Sequence, residues 1–251
     1  MSADGAAAFR ALHHGRAAGD PLVLPGPWDA GSAVAFAEAG FGALATPSAG
    51  VAASLGYEDG ATPAEEMFAA VGRVVRAVAG RGVLVSADVE DGYGLAPAEL
   101  AERLAEAGAV GCNVEDSDHA AGGLRDAAAH ARWLAGLRAA VGDGLVVNAR
   151  IDTYRPGGEW DEAAQWEETL SRARQYAAAG ADCLYPIFAP PQVLARLAAE
   201  VDLPLNALAR PGGPSPRELG ELGARRVTFG PGLQRRAMAA VAEIGRELAG
   251  G

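Results

Sequence analysis

Lysine is missing from this 251-residue chain: each of its 21 basic residues is arginine. That absence excludes a Schiff-base aldolase, a pyridoxal-phosphate lysine and a Walker A phosphate loop, because each needs a primary amine. Cysteine is scarce as well. Cys112 and Cys183 stand far apart with no metal-ligand spacing, and a disulfide between them would be out of place in a reducing compartment. No apolar run approaches the roughly 20 residues of a membrane span. The opening "MSADGAAAFRALHHGRAAGD" lacks the basic start and long apolar centre of a secretion signal. A cytoplasmic protein without a membrane partner is the expectation. Basic charge is also in short supply, 21 residues against 32 acidic ones for a formal charge of −11. This argues against nucleic acid as a partner, since that affinity rests on neutralising phosphates.

What the chain has is alternation. Short β-rich runs at 21–26, 41–47, 82–89, 110–116, 145–152, 183–189, 204–209 and 226–232 are separated by amphipathic stretches such as 63–80, 97–107, 124–140 and 161–179. The phrase "AEAGFGALATPS" returns in kind as "AEAGAVGCNVEDS" and "AAAGADCLYPI", each reading as a helix end, a glycine cap and a strand. Eight βα units in about 250 residues predict an α/β fold, a TIM (β/α)8 barrel. It forms a single domain over 1–251, with an extra N-terminal helix before residue 20 capping the barrel's lower mouth. A doubly wound open sheet is the competing layout, but no G-x-G-x-x-G follows the first strand.

Polar residues gather at the carboxyl ends of these strands, where TIM barrels place their chemistry. In "GVLVSADVEDGYG" the period-2 alternation sets Asp88 and Glu90 to one side and Asp91 to the other. Glu115 ends the next strand and faces the same space. Carboxylates converging in one mouth repel unless a cation compensates, which suggests a hard divalent ion with oxygen ligands, Mg²⁺ or Mn²⁺. The plainer alternative is solvated loop acids, and it suits Asp91, Asp116 and Asp118 better than the trio. Arg150 is a strand-end cation whose fork suits a carboxylate or phosphate, or else a salt bridge to Asp152 or Glu115. "TPSAG" (46–50) offers a hydroxyl and closely approachable amides. Arg210 and the "GPG" at 230–232 could take a distal carboxylate or phosphate, or be a surface pair and a helix start. Asn206 lies on the same strand end as Arg210.

The segments "LPGPWDAGSA", "ATPSAGVAASLGYEDG", "VSADVEDGYG", "GCNVEDSD" and "VNARIDTY" together resemble the isocitrate lyase / phosphoenolpyruvate mutase superfamily, in its order and spacing. The resemblance implies a modified TIM barrel. It implies a homodimer or homotetramer whose last helix packs on a neighbouring subunit, and Mg²⁺-dependent action on α-keto acids through a pyruvate-like enolate. By position it makes Asp88 the direct metal ligand, Glu90 and Glu115 holders of metal-bound waters, and Asp59 a further acid near the metal. It makes Ser48 and the Ala49 amide a pyruvyl-carboxylate pocket, Arg150 a substrate arginine, and Trp28 and Asp29 the pocket floor.

The chain also departs from that family. Where the lyases carry a Lys-Lys-Cys-Gly-His segment, it reads "DSDHAAGGLRDAAAHA", without Cys or Lys. Cys112 faces the wrong way to substitute, and the position of the lyases' second glutamate holds Ile187. The lysine- and asparagine-bearing gating loop of the phosphonate enzymes is absent too. His119 is the nearby group that could act as an acid, whereas His13, His14 and His130 are expected at helix surfaces. The reading is a Mg²⁺-dependent lyase or decarboxylase of a small α-keto or 2-hydroxy dicarboxylate, with Arg150, Asp59, Glu115 and His119 in catalytic roles. Phosphonate P–C chemistry and a non-catalytic keto-acid-binding barrel are the alternatives.

Overall fold

Strand and helix alternate along the chain as the hydrophobic periodicity predicts. The structure, a computed structural model, describes residues 3–119, 121–157 and 160–250. The elements run α1 (Ala3–Ala11), β1 (Leu22–Val23), α2 (Ala30–Glu38), β2 (Ala43–Ala45), α3 (Ser48–Leu55), α4 (Ala64–Val78), β3 (Leu84–Asp88), α5 (Pro97–Ala107) and β4 (Gly111–Glu115). They continue with α6 (Ala127–Val141), β5 (Val146–Ile151), α7 (Glu162–Ala178), β6 (Cys183–Pro186), α8 (Pro191–Glu200), β7 (Leu205–Leu208), α9 (Pro216–Glu221), β8 (Ala224–Thr228) and α10 (Gly232–Gly250).

All eight predicted strands form, each shorter than its apolar run. The order β1-β8-β7-β6-β5-β4-β3-β2 is sequential around the sheet, and every ladder is parallel. At the β1–β2 seam the Ala45 N–H donates to the Pro25 carbonyl at 3.2 Å, so the sheet curls into a barrel. A doubly wound sheet would reverse its strand order midway, and this one does not. The recurring glycine does the work expected of it after α5: Gly108 stands at φ 79°, and its N–H caps the Leu104 and Ala105 carbonyls.

Period 2 separates the two faces of the wall. Ala87, Cys112, Val114, Val147 and Ala149 point outward into a core shared with Leu100, Leu104, Leu134, Leu137 and Tyr176 of the surrounding helices. Cys112 does face away from the barrel interior, and burial pushes its thiol up to about 12. Below, α1 closes the amino-terminal mouth as predicted. Phe9 fits so closely against Gly111 that a Cβ there would lie 2.7 Å from the ring. Arg10 ties the helix to Asp182 at 2.7 Å and to the Leu145 carbonyl at 2.9 Å. Among the described residues no helix is long and apolar enough to cross a membrane. The last helix, α10, stands apart: of its 19 residues only Gln234 is buried.

Two of the histidines expected at surfaces are buried instead. His13 donates from Nδ1 to the Phe9 carbonyl at 2.8 Å and packs edge-on against that ring. Burial and the nearby Arg226 charge lower its pKa to about 4. His130 stacks on Trp133 and meets Tyr176 at 5.2 Å, with burial lowering its pKa to about 3. Its place in the sequence carried a signal, for 130, 134 and 137 share one face of a helix, and Leu134 and Leu137 are core. Only His14 is exposed.

Both buried rings bind a proton less readily folded than unfolded. Between about pH 6.5 and 4 the unfolded chain holds more protons, so stability falls as the pH drops through that window. His130→Phe should make the acid limb of a stability–pH profile shallower by up to about 1.4 kcal/mol per pH unit, read by urea unfolding. An unchanged slope would contradict the burial of a neutral ring.

Candidate active site

Asp88 is the last residue of β3 and Glu115 the last of β4, with Glu115 in register with Arg150 on β5. All three line one cavity of about 490 Å³ at the carboxyl end of the barrel. Glu90 joins them, but not through strand alternation, since β3 has already ended. Its backbone is left-handed at φ 50°, a conformation that non-glycine residues rarely hold without compensation. This turn brings the side chain back over the mouth, and the Glu115 N–H donates to the Glu90 carbonyl at 2.8 Å to hold it there. Asp91 turns away from the mouth as expected, but it is not a solvated loop acid: it is buried and ion-paired with Arg125 at 2.9 Å.

Ser48, Ala49, Asp59, His119, Arg150 and Arg210 also line the cavity. Ser48 begins α3, and its N–H and hydroxyl both donate to Asp88, at 3.3 and 3.1 Å. The positive end of α3 thus faces the cavity, where it favours anions.

Three predicted binding residues are not in the cavity wall. Asp29 is exposed and caps α2, accepting from the Ser32 N–H at 2.7 Å. Trp28 packs edge-on against Phe36. Asn206 lies buried deeper in the barrel, donating to Thr228 at 2.9 Å. The resemblance points Trp28 and Asp29, and the strand end Asn206, toward the site; a helix cap takes Asp29, an aromatic contact Trp28 and a buried layer Asn206. The sequence reading also missed Arg155 and Arg235, which line the cavity from a loop and from α10, away from any strand end. Arg235 stands one turn beyond the glycines at 230–232, the only cue it offered.

Burial raises the pKa of Asp88 and of Glu115, with Arg150 opposing both. Glu90 is raised to about 8, by burial first and then by Asp88 and Glu115. Its Oε1 is buried with no hydrogen-bond partner among the described residues. Glu115 is better satisfied: His119 Nε2 reaches it at 2.6 Å, and Arg150 Nη1 is paired with it. The hydrogen bond to Glu115 raises the His119 pKa, so the ring holds its proton more tightly than usual. Arg150 turns its Nε and Nη2 to Asp152 at 2.6 and 2.8 Å. Its fork therefore grips a protein carboxylate, the salt-bridge arrangement that the sequence left open.

No group of three acids, histidines or cysteines stands in ready ligand geometry among the described residues. The donor set nevertheless suits a hard cation. Asp88, the orphaned Glu90 oxygen and Glu115 are all oxygen ligands whose charged forms are disfavoured for want of positive charge. Asp88 and Glu90 are the freer pair. Across the cavity Arg210 lies 5.7 Å from the Phe188 ring, and neither it nor Arg235 makes an ion pair among the described residues. The cavity is acidic on one wall and arginine-lined on another.

Asp116, expected as a solvated loop acid, is wholly buried behind this wall. It accepts from Arg172 at 3.0 Å, Tyr176 at 2.7 Å and the Asp152 N–H at 2.9 Å. Asp118 accepts from the Ala121 N–H at 2.8 Å.

The family model described as phosphoenolpyruvate phosphomutase matches residues 9–249. An uncharacterised Mycobacterium tuberculosis protein, Rv1998c, is 36% identical over 247 residues, covering 97% of this chain and 89% of its own. A crystal structure from Burkholderia cenocepacia J2315, described provisionally as a phosphonomutase, is 39% identical with a TM-score of 0.88, covering 99% of each chain. A 2,3-dimethylmalate lyase structure is 26% identical with a TM-score of 0.83, covering 98% of this chain and 87% of the other.

Two carboxylates distinguish support from capping. Asp116→Ala takes one of two carboxylates from buried Arg172 and leaves the Tyr176 hydroxyl and the Asp152 N–H without their acceptor. It should cost about 3–5 kcal/mol, whereas Asp29→Ala should cost about 1 kcal/mol and leave ligand binding intact. Urea denaturation of both variants, with calorimetry on the second, checks the pair.

Proposed function

Because the chain belongs to the phosphoenolpyruvate phosphomutase family, we propose that it is a Mg²⁺-dependent enzyme cleaving a C–C bond in a small α-keto or 2-hydroxy dicarboxylic acid. The observation that supports this reading is the wall of Asp88, Glu90 and Glu115 in one cavity with Arg210 and Arg235, where the Glu90 oxygen has no hydrogen bond and the two arginines no ion pair among the described residues. A divalent cation held by Asp88 and Glu90, with Glu115 beside it, would supply Lewis acidity toward the keto oxygen.

The chain's own residues account for the rest. Ser48 and Ala49 at the start of α3 receive the carboxylate next to the keto group, while Arg210 and Arg235 receive the second one. In an oxaloacetate-type acid the pair of the breaking C–C bond moves toward the keto oxygen as carbon dioxide departs. In a 2-hydroxy acid a carboxylate of the acidic wall takes the hydroxyl proton, and the hydroxyl carbon becomes the carbonyl of the keto acid released. The pair there stays on the α-carbon of the departing carboxylic acid, which then takes up a proton. Decarboxylation of an oxaloacetate-type acid asks least of the loop after Glu115, because carbon dioxide leaves without a general acid. His119, holding a proton against Glu115, is placed to return one to the carbon left behind. Arg150 fixes Glu115 from the far side, and Asp59 flanks the Gly60 turn that lies against His119.

A second reading, rearrangement or hydrolysis of a phosphonate P–C bond, is favoured by the description of the matching family model. The arginine wall would suit a phosphonate as well as a carboxylate. Phosphorus NMR of phosphonopyruvate incubations separates the two readings.

The exposed stripe Met238, Val241, Ile244 and Leu248 on α10 supports a homo-oligomer, a dimer or tetramer in which this helix packs on a second copy. Apolar side chains at that spacing line one helix face and need a cover.

Keto-acid release from oxaloacetate and branched malates should require Mg²⁺ and stop with chelator, and Asp88→Asn should lower turnover by about 100-fold or more. Metal-independent turnover, or none on any of these acids, would remove the leading reading. Ile244→Asp should shift the light-scattering mass to that of one chain; an unchanged mass would refute the α10 interface.

A further inference from the structure

Beneath the acids the barrel interior is polar rather than aliphatic. Asn113 sits on β4 two residues before Glu115 and in register with Asp88, and it lines the cavity. Its Oδ1 accepts from Arg226 Nη2 at 2.9 Å and from Asn148 Nδ2 at 2.7 Å. Arg226 is fully buried and a guanidinium can only donate, so this contact fixes which amide atom is the oxygen. The amide nitrogen must then face away from both partners. On a residue whose other side is cavity, that direction is toward the ligand.

We infer that Asn113 is a substrate-contacting, specificity-determining residue. Its Nδ2–H, aimed by Arg226 and Asn148, donates to an oxygen of the ligand and selects a keto or carboxylate oxygen over an amine or amide nitrogen at that point. This rests on the reading of the acid-lined cavity as the substrate site. The chemistry follows from pairing rules: a rigid donor gains a bond from an oxygen and meets another donor at an NH₂ group. Arg226 is a positioning residue that acts through Asn113.

Oxalate and oxamate differ by replacement of one oxygen by NH₂, and so probe this contact directly. Calorimetry with Mg²⁺ on the wild type, Asn113→Asp and Asn113→Leu gives an affinity ratio for the two ligands in each protein. The wild type should favour oxalate. In both variants oxalate should weaken by about tenfold or more while oxamate weakens less, so the ratio falls, with thermal midpoints confirming the fold. Wild-type binding with an unchanged ratio in the variants would overturn the role of Asn113 and leave the site assignment standing. Failure of the wild type to bind either ligand would instead sink the site assignment, and this inference with it. Should neither variant fold, the wild-type crystal structure with Mg²⁺ and oxalate decides. An oxalate oxygen within about 3.2 Å of Nδ2 upholds the contact, and its absence refutes it.

Discussion

Crowding of buried negative charge at the carboxyl mouth of the barrel is the constraint to which the rest of the structure answers. Desolvation disfavours ionised Asp88, Glu90 and Glu115, and repulsion from neighbouring acids adds to it at Glu90 and Glu115. Ser48 and its backbone N–H compensate Asp88. Arg150 and His119 compensate Glu115. Glu90 keeps an oxygen without a partner among the described residues, on a backbone bent into the left-handed region. The least satisfied acid thus sits where a ligand's or ion's charge would be felt most, a pattern typical of sites shaped for function rather than for stability.

A continuous set of contacts holds this arrangement from outside the barrel. Arg172 and Tyr176 of α7 grip Asp116, and Asp116 takes the N–H of Asp152. Asp152 grips the fork of Arg150, and Arg150 meets Glu115, which in turn holds His119. Ser117 adds a 2.5 Å bond to Asp152, so the loop bearing His119 is tied to the same carboxylate. Most of the nodes are charged and shielded from water, where each contact is stronger and each loss more costly. Rigidity of this kind keeps the charged groups of the mouth in place when the charges around them change.

Period-2 patterning made the strands, their one-sided polarity and the pairing of Asp88 with Glu115 legible, because alternation is a local rule. The convergence of Glu90 was anticipated for the wrong reason: a turn, not a pleat, aims it. Residues whose partners lie far away in sequence were misread. Asp116 meets a helix some 56 residues on, and nothing in "NVEDSD" distinguishes a buried acid from a solvated one. Asp29 and Trp28 were drawn to the site by position, yet Ser32 three residues later carried the local capping signal that explains Asp29. Arg155 and Arg235 escaped because a loop and a helix can reach a barrel mouth without ending a strand there.

The missing lysines can now be viewed as more than an exclusion of imine chemistry. Arg10, Arg125, Arg138, Arg150 and Arg172 each bridge two or more groups at separated points, often a carboxylate and a carbonyl together. A guanidinium does this with a rigid fork, whereas an ammonium concentrates its donors at one point and loses its proton more readily when buried. In a barrel whose interior already pushes carboxylates toward their neutral form, positive charges that could also neutralise would leave the site without a fixed reference. With arginine throughout, the cations stay charged, so carboxylates and one histidine are the groups at the mouth left to exchange protons.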